Sequence, residues 1–143
     1  MVQTDNHLVI MAGGVGGRFW PMSTADSPKQ FIDVLGVGRT LIQLTYDRFS
    51  GVVSADNVWV VTNQKYVSLV HEQLPEIPLN HILSEPCRRN TAPCIAYVSW
   101  RIKKENPKAN IVVSPSDHIV TNENEFKRVV SNCLKFTAET DAV

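Results

Sequence analysis

Apolar residues recur along this chain in two rhythms. Short unbroken runs at Leu8-Val9-Ile10-Met11, the β-branched-rich Val58-Trp59-Val60-Val61-Thr62, the weaker His81-Ile82-Leu83-Ser84 and Ile111-Val112-Val113 predict four strands, the first of them buried. Between them apolar residues fall at helical spacing. Tyr66, Val67, Leu69, Val70 and Leu74 predict an amphipathic helix opened at Asn63 and ended by Pro75. Ile95, Val98 and Ile102 mark one side of a helix running from Thr91 or Ala92 to Lys104, with Thr91 able to cap it, Pro93 in its first turn and Asn106-Pro107 ending it. Phe126, Val129, Val130, Cys133 and Leu134, at i, i+3, i+4, i+7 and i+8, predict a last helix over Glu123 to Phe136.

Strand and helix therefore alternate, which predicts an α/β fold: a doubly wound, mainly parallel sheet with helices on both faces. Ligands of such sheets sit at the carboxyl ends of the strands, near the point where strand order reverses. A glycine-rich loop follows the first run, Glu85 the third and Asp117 the fourth. Topology alone brings these distant groups to one edge.

Composition narrows the picture. A chain of 143 residues fits one domain, residues 1–143, and at this size buries about 68–70% of its unfolded surface. With 43% hydrophobic and 20% charged residues, disorder has no support. No apolar run approaches the ~20 residues of a membrane helix, so no membrane partner is expected. Lys+Arg and Asp+Glu balance at 14 each, leaving no overall basic field to gather nucleic acid. A nucleotide would have to be held by local groups. Met1 to Asn6 lacks the basic and apolar regions of a signal peptide, and Cys87, Cys94 and Cys133 have no CxxC spacing, so neither a disulfide framework nor a zinc site is indicated. These features predict a cytoplasmic protein with reduced thiols. The tail from Thr137 to Val143 carries no glycine or proline stop signal, which predicts a piece of a larger fold.

The loop itself reads Ala12-Gly13-Gly14-Val15-Gly16-Gly17-Arg18-Phe19-Trp20-Pro21-Met22-Ser23, closed later by Pro28-Lys29-Gln30-Phe31. Four glycines in five positions after a buried strand let backbone N–H groups approach a ligand and form an anion-binding concavity. Arg18 and Lys29 add full positive charges, so the stretch reads as a cradle for a nucleotide's phosphates. Two familiar cradles fail: no Gly-Lys pair completes a P-loop, and Phe19 stands where a dinucleotide fingerprint needs its third glycine. Pro21 and Pro28 also speak against a long helix directly after the loop.

The run Gly13 to Ser23 with Pro28 to Phe31 resembles the signature of sugar-1-phosphate nucleotidyltransferases, in particular the mannose-1-phosphate guanylyltransferase (GDP-mannose pyrophosphorylase) branch. Glu85-Pro86-Cys87-Arg88-Arg89-Asn90-Thr91-Ala92-Pro93 resembles that branch's second motif and Pro115-Ser116-Asp117-His118 its metal motif. The motifs stand in the family's order and span most of the chain. The resemblance implies a Rossmann-like nucleotidyltransferase fold. It also implies the reaction of GTP with mannose 1-phosphate, in which a sugar-phosphate oxygen attacks the α-phosphorus and pyrophosphate departs from the opposite side. Gly17 departs from the family's usual Ser or Thr, removing a hydroxyl. Family members are longer, with later segments that bind the sugar phosphate and supply a second metal-binding aspartate. The alternatives are a nucleotide-binding piece without catalysis and a thymidylyl- or uridylyltransferase acting on glucose 1-phosphate.

Such transfer needs positioned positive charge where negative charge builds up. The resemblance gives Arg18 a forked contact to the triphosphate and Lys29 a point charge at the α-phosphate or leaving group; their bland alternatives are a surface arginine and a solvated lysine. Asp117 is the third catalytic candidate and the metal ligand, because Mg²⁺ is typically held by one or two carboxylates plus phosphate oxygens and waters; otherwise it is a turn-forming Asx residue. His118 reads as structural, since hard Mg²⁺ prefers oxygen. Ala12, Gly13, Gly14, Gly16 and Gly17 offer backbone to the nucleotide.

Glu85 has only acceptors to offer, which suits guanine's adjacent N1–H and N2–H₂ donors, whereas uracil and thymine would suit an amide better; guanine is then the expected base, read by Glu85 or nearby backbone, with helix capping as the alternative role of Glu85. Asn90 and Thr91 contact ribose or base, or simply start the helix. Phe19 and Trp20 are assigned to packing, and Tyr97 and Trp100 to core or interface. Arg88 and Arg89 are solvated, or reach phosphate or the partner of a homodimer.

Overall fold

The computed structural model describes residues 5–14, 19–85 and 90–140. Of the residues singled out above, Gly16, Gly17, Arg18, Cys87, Arg88 and Arg89 lie outside the described residues. Four strands, β1 (Asn6–Met11), β2 (Val58–Asn63), β3 (Ile82–Glu85) and β4 (Asn110–Pro115), form one parallel sheet in the order β3-β2-β1-β4. Four α-helices connect or follow them: α1 (Leu41–Arg48), α2 (Val67–Gln73), α3 (Thr91–Glu105) and α4 (Glu123–Glu139).

Successive side chains of a strand point to opposite faces, and that alternation divides the core in two. Leu8 and Ile10 of β1, Val58 and Val60 of β2 and Ile82 of β3 pack with Ile42 of α1, Val70 of α2 and Leu134 of α4. Val9, Trp59, Val61 and Leu83 face the other way, onto Cys94, Val98 and Ile102 of α3. Handedness explains the division. Right-handed crossovers put α1 and α2 on one face as the chain moves outward from β1 to β3, and α3 on the other as it returns across the sheet to β4. The reversal of strand order falls between β1 and β4, which are paired from Asn6↔Asn110 to Met11↔Pro115.

The expected strands and later helices are present, and α4 runs on past Phe136 to Glu139. Asn63 opens the second helical segment by accepting from the Lys65 N–H, through a 3₁₀ turn (Gln64–Tyr66) that leads into α2. Three expectations are corrected. Helix α1 is an addition to the pattern read from the apolar spacing. Asn90, not Thr91, occupies the N-cap position of α3. Trp20 is 77% exposed rather than packed, and Tyr97 and Trp100 are exposed on α3, which removes the core half of their core-or-interface reading. The ring of Trp100 is instead covered by Lys104, whose ammonium sits 4.2 Å from its centroid.

Candidate functional site

The site begins where β1 ends. The Ala12 N–H donates to the Val61 carbonyl at 2.8 Å, and the Ala12 carbonyl accepts from the Thr62 hydroxyl at 2.9 Å and the Gln30 amide at 3.0 Å. The same amide nitrogen donates to the Gly14 carbonyl at 2.8 Å. Gln30 is buried in a 3₁₀ turn (Lys29–Phe31), whose Phe31 packs in the core. One side chain therefore holds two residues of the loop by their carbonyls. Ala12 itself is buried beneath the cleft, with both backbone groups engaged within the protein.

Above this floor lies an open cleft of about 620 Å³ at the carboxyl ends of β1, β2 and β3. Gly13 and Gly14 form one wall and Asn90, Thr91 and Cys94, from the start of α3, another, with Glu85 between them. A Cβ on Gly14 would meet nothing within 4 Å and would project into the open space; one on Gly13 would stand 3.6 Å from the Glu85 carboxylate. Glu85 ends β3 opposite Asn63. The Cys94 thiol hydrogen-bonds to it, and burial, followed by the charge of Glu85, pushes that thiol up to about 11. Cys94 is thus a protonated donor to the carboxylate.

Asn90 stands at φ 68°, a left-handed backbone that a non-glycine residue adopts only at a cost. Its side chain makes no capping hydrogen bond. Asn90 and Thr91 are both exposed on the cleft wall.

Lys29 and Asp117 come together on the other side of β1. The Lys29 ammonium lies 3.5 Å from an Asp117 carboxylate oxygen, although 88 positions separate them in the chain, and 5.4 Å from the centroid of the Phe19 ring. Both are partly exposed, so their attraction is weakened by solvent. The Ser116 N–H donates to the Met11 carbonyl at 3.2 Å and ties this segment to the start of the glycine loop. His118 is exposed, with its ring 3.9 Å from the other Asp117 oxygen. Among the described residues, no group of three His, Cys, Asp or Glu side chains converges.

The structure thus gathers Gly13, Gly14, Glu85, Asn90 and Thr91 around one cleft and pairs Lys29 with Asp117 at the strand reversal. Sequence reasoning missed Cys94 and the work of Gln30. Cys94 had a signal, since it lies in the first turn of the helix behind Glu85; Gln30 had only its place beside Lys29.

A parallel α/β sheet with a glycine loop, an acceptor-lined cleft and a cation–carboxylate pair at its switch point has the architecture of a nucleotide-binding α/β protein. More narrowly, the chain belongs to the nucleotidyl transferase family, whose pattern matches residues 7–143. It is 42% identical over 128 residues to mannose-1-phosphate guanylyltransferase 2 of Escherichia coli O157:H7, covering 87% of this chain and 26% of that protein. With mannose-1-phosphate guanylyltransferase of Escherichia coli K12 it shares 35% identity over 140 residues, covering 95% of this chain and 29% of the relative. A crystal structure described as mannose-1-phosphate geranyltransferase from Thermus thermophilus superposes with a TM-score of 0.81 at 26% identity, over 92% of this chain and 38% of that one. The chain therefore spans less than a third of the length of the curated relatives it matches.

Proposed function

We propose that this chain forms the nucleotide-binding part of a guanylyltransferase that joins GTP and mannose 1-phosphate to give GDP-mannose and pyrophosphate. The observation that carries the reading is the Glu85 carboxylate, set at the back of a cleft whose opposite wall is Gly13 and Gly14. With Cys94 donating to one side of it, the carboxylate keeps acceptors for the two adjacent donors of guanine. Asn90 and Thr91 lie where ribose or base would pass, and the backbone of Gly13 to Gly17 is offered to the phosphates.

Lys29 and Arg18 bring positive charge to the triphosphate, where negative charge builds up during transfer. The Asp117 carboxylate fits Mg²⁺, because a single protein carboxylate at a partly exposed edge matches an ion that takes its remaining oxygens from phosphate and water. A bound Mg²⁺ neutralises phosphate charge and orients the triphosphate. Lys29 and Asp117, in contact in the free protein, would then exchange each other for the phosphates and the ion. We assign this activity to the cytoplasm, where free thiols such as Cys94 and Cys133 stay reduced.

The test is nucleotide binding with Mg²⁺ by calorimetry: GTP binds more tightly than UTP or dTTP, and Glu85→Gln reduces that preference by about tenfold, the cost of roughly one charge-assisted hydrogen bond. Equal affinities for GTP and UTP in the unaltered protein would overturn the guanylyl assignment. Pyrophosphate release that depends on mannose 1-phosphate separates a transferase from a nucleotide-binding piece without catalysis.

A further inference from the structure

Arg48, the last residue of α1, is 3% exposed. Its partners are unusual for a buried cation: Nη2 donates to the backbone carbonyl of His118 at 2.8 Å, and the guanidinium lies 5.4 Å from the centroid of Phe126. Among the described residues its Nε finds no hydrogen-bond partner. A buried guanidinium that hydrogen-bonds a carbonyl, feels the Glu123 carboxylate only through its charge and keeps one donor orphaned is a costly way to fill space that leucine or methionine would fill well. What it gains is a grip on one particular carbonyl, 70 positions away in the chain and directly after Asp117.

The segment leaving β4 is otherwise held on its near side, by Ser116 donating to Met11 and by the Lys29–Asp117 pair. Arg48 holds its far side. Between these anchors the Asp117 side chain is exposed while its backbone is fixed before and after it. We propose that Arg48 is a positioning residue: by anchoring the His118 carbonyl it aims the Asp117 carboxylate at the place where a divalent cation is held. This deepens the reading of Asp117 given above and rests on it.

The experiment measures Mn²⁺ binding by water-proton relaxation in the presence of GTP, whose phosphates supply the ion's other oxygens, in the unaltered protein, Arg48→Met, Arg48→Lys, Asp117→Asn and Arg48→Met/Asp117→Asn. Arg48→Met weakens Mn²⁺ binding by about tenfold. Arg48→Lys keeps the charge, but its stem ends short of the guanidinium's outer nitrogen, and binding weakens at least about threefold while cooperative melting is retained. In the Asp117→Asn background the arginine substitution has no further effect, because the group it aims is gone. Unchanged Mn²⁺ affinity in a folded Arg48→Lys protein would overturn the proposal, as would equal losses in both backgrounds, which mark a general loosening of the fold. Unchanged affinity in Asp117→Asn alone would instead overturn the metal reading of Asp117, and the role of Arg48 with it.

Discussion

Gln30 shows how much of the cleft hangs on single side chains. Its one amide nitrogen serves two carbonyls, Ala12 and Gly14, at 3.0 and 2.8 Å. Gln30→Glu keeps the shape but replaces the donor with an acceptor facing those carbonyls. The expected outcome is a loss of about 1–3 kcal/mol and a melting temperature lower by several degrees, measured by thermal denaturation. Asn90 offers the opposite sign. Its positive φ costs a side chain that glycine lacks, so Asn90→Gly holds or raises the melting temperature while Asn90→Ala lowers it, a difference of about 1 kcal/mol. If Asn90 touches the nucleotide, both variants weaken GTP binding. At this scale the sequence was uneven. Glu85, Gly13, Gly14, Asn90 and Thr91 were legible because they sit in short motifs at strand ends. Gln30 and Arg48 were not, since a buried polar side chain declares its purpose only once its partner, 16 or 70 positions away, is in place.

Among the elements, the strands were legible because each apolar run alternates between two cores, fully buried in β1 and β2 and only partly in β4. Helix α1 escaped because it is only eight residues long, and Gln43, Thr45 and Asp47 alternate with its apolar positions and blur the helical stripe. One signal was present. Gln43 accepts from the Thr40 N–H at 3.0 Å, the reciprocal half of an N-terminal capping pair spaced three apart. The opposite ends of the strands hold a polar cluster that no motif announced. Trp59 Nε1 donates to His7 at 3.3 Å, and the His81 ring stacks on Trp59 with centroids 3.8 Å apart. Burial first, and then the charge of His81, holds His7 below its ordinary value of 6.5. A neutral His7 is therefore favoured in the folded chain, so the stability it confers is present above pH 6.5 and is lost as the pH falls below it. Denaturant unfolding from pH 7.5 to 5 should show a decline of at most ~1.4 kcal/mol per pH unit from this group, reduced in His7→Gln.

For the whole molecule, the two faces differ in depth. The face bearing α1, α2 and α4 encloses sixteen buried residues and the face bearing α3 seven, with Ile111 and Val113 of β4 only partly covered there. Amide hydrogen exchange should accordingly be slowest in β1 and β2, which are fully sandwiched, and faster along β4; uniform protection across the sheet would contradict that ranking. The alternation of strand and helix made this layering legible. The strand order, with β4 beside β1, followed only from the structure, because parallel pairing leaves no trace in the spacing of apolar runs.

That pairing also sets a timetable. Asn6 and Asn110 are hydrogen-bonded across 104 positions, so β1 waits for that length of chain before it gains its second neighbour. Contacts between residues so far apart form slowly, and a ribosome delivers the amino terminus first. The wall made by Gly13, Gly14 and Glu85 can assemble once β3 has emerged, but the Lys29–Asp117 pair is complete only after β4 has been synthesised and docked. A growing chain therefore completes the Gly13–Gly14–Glu85 side of the cleft before the Lys29–Asp117 pair at the strand reversal.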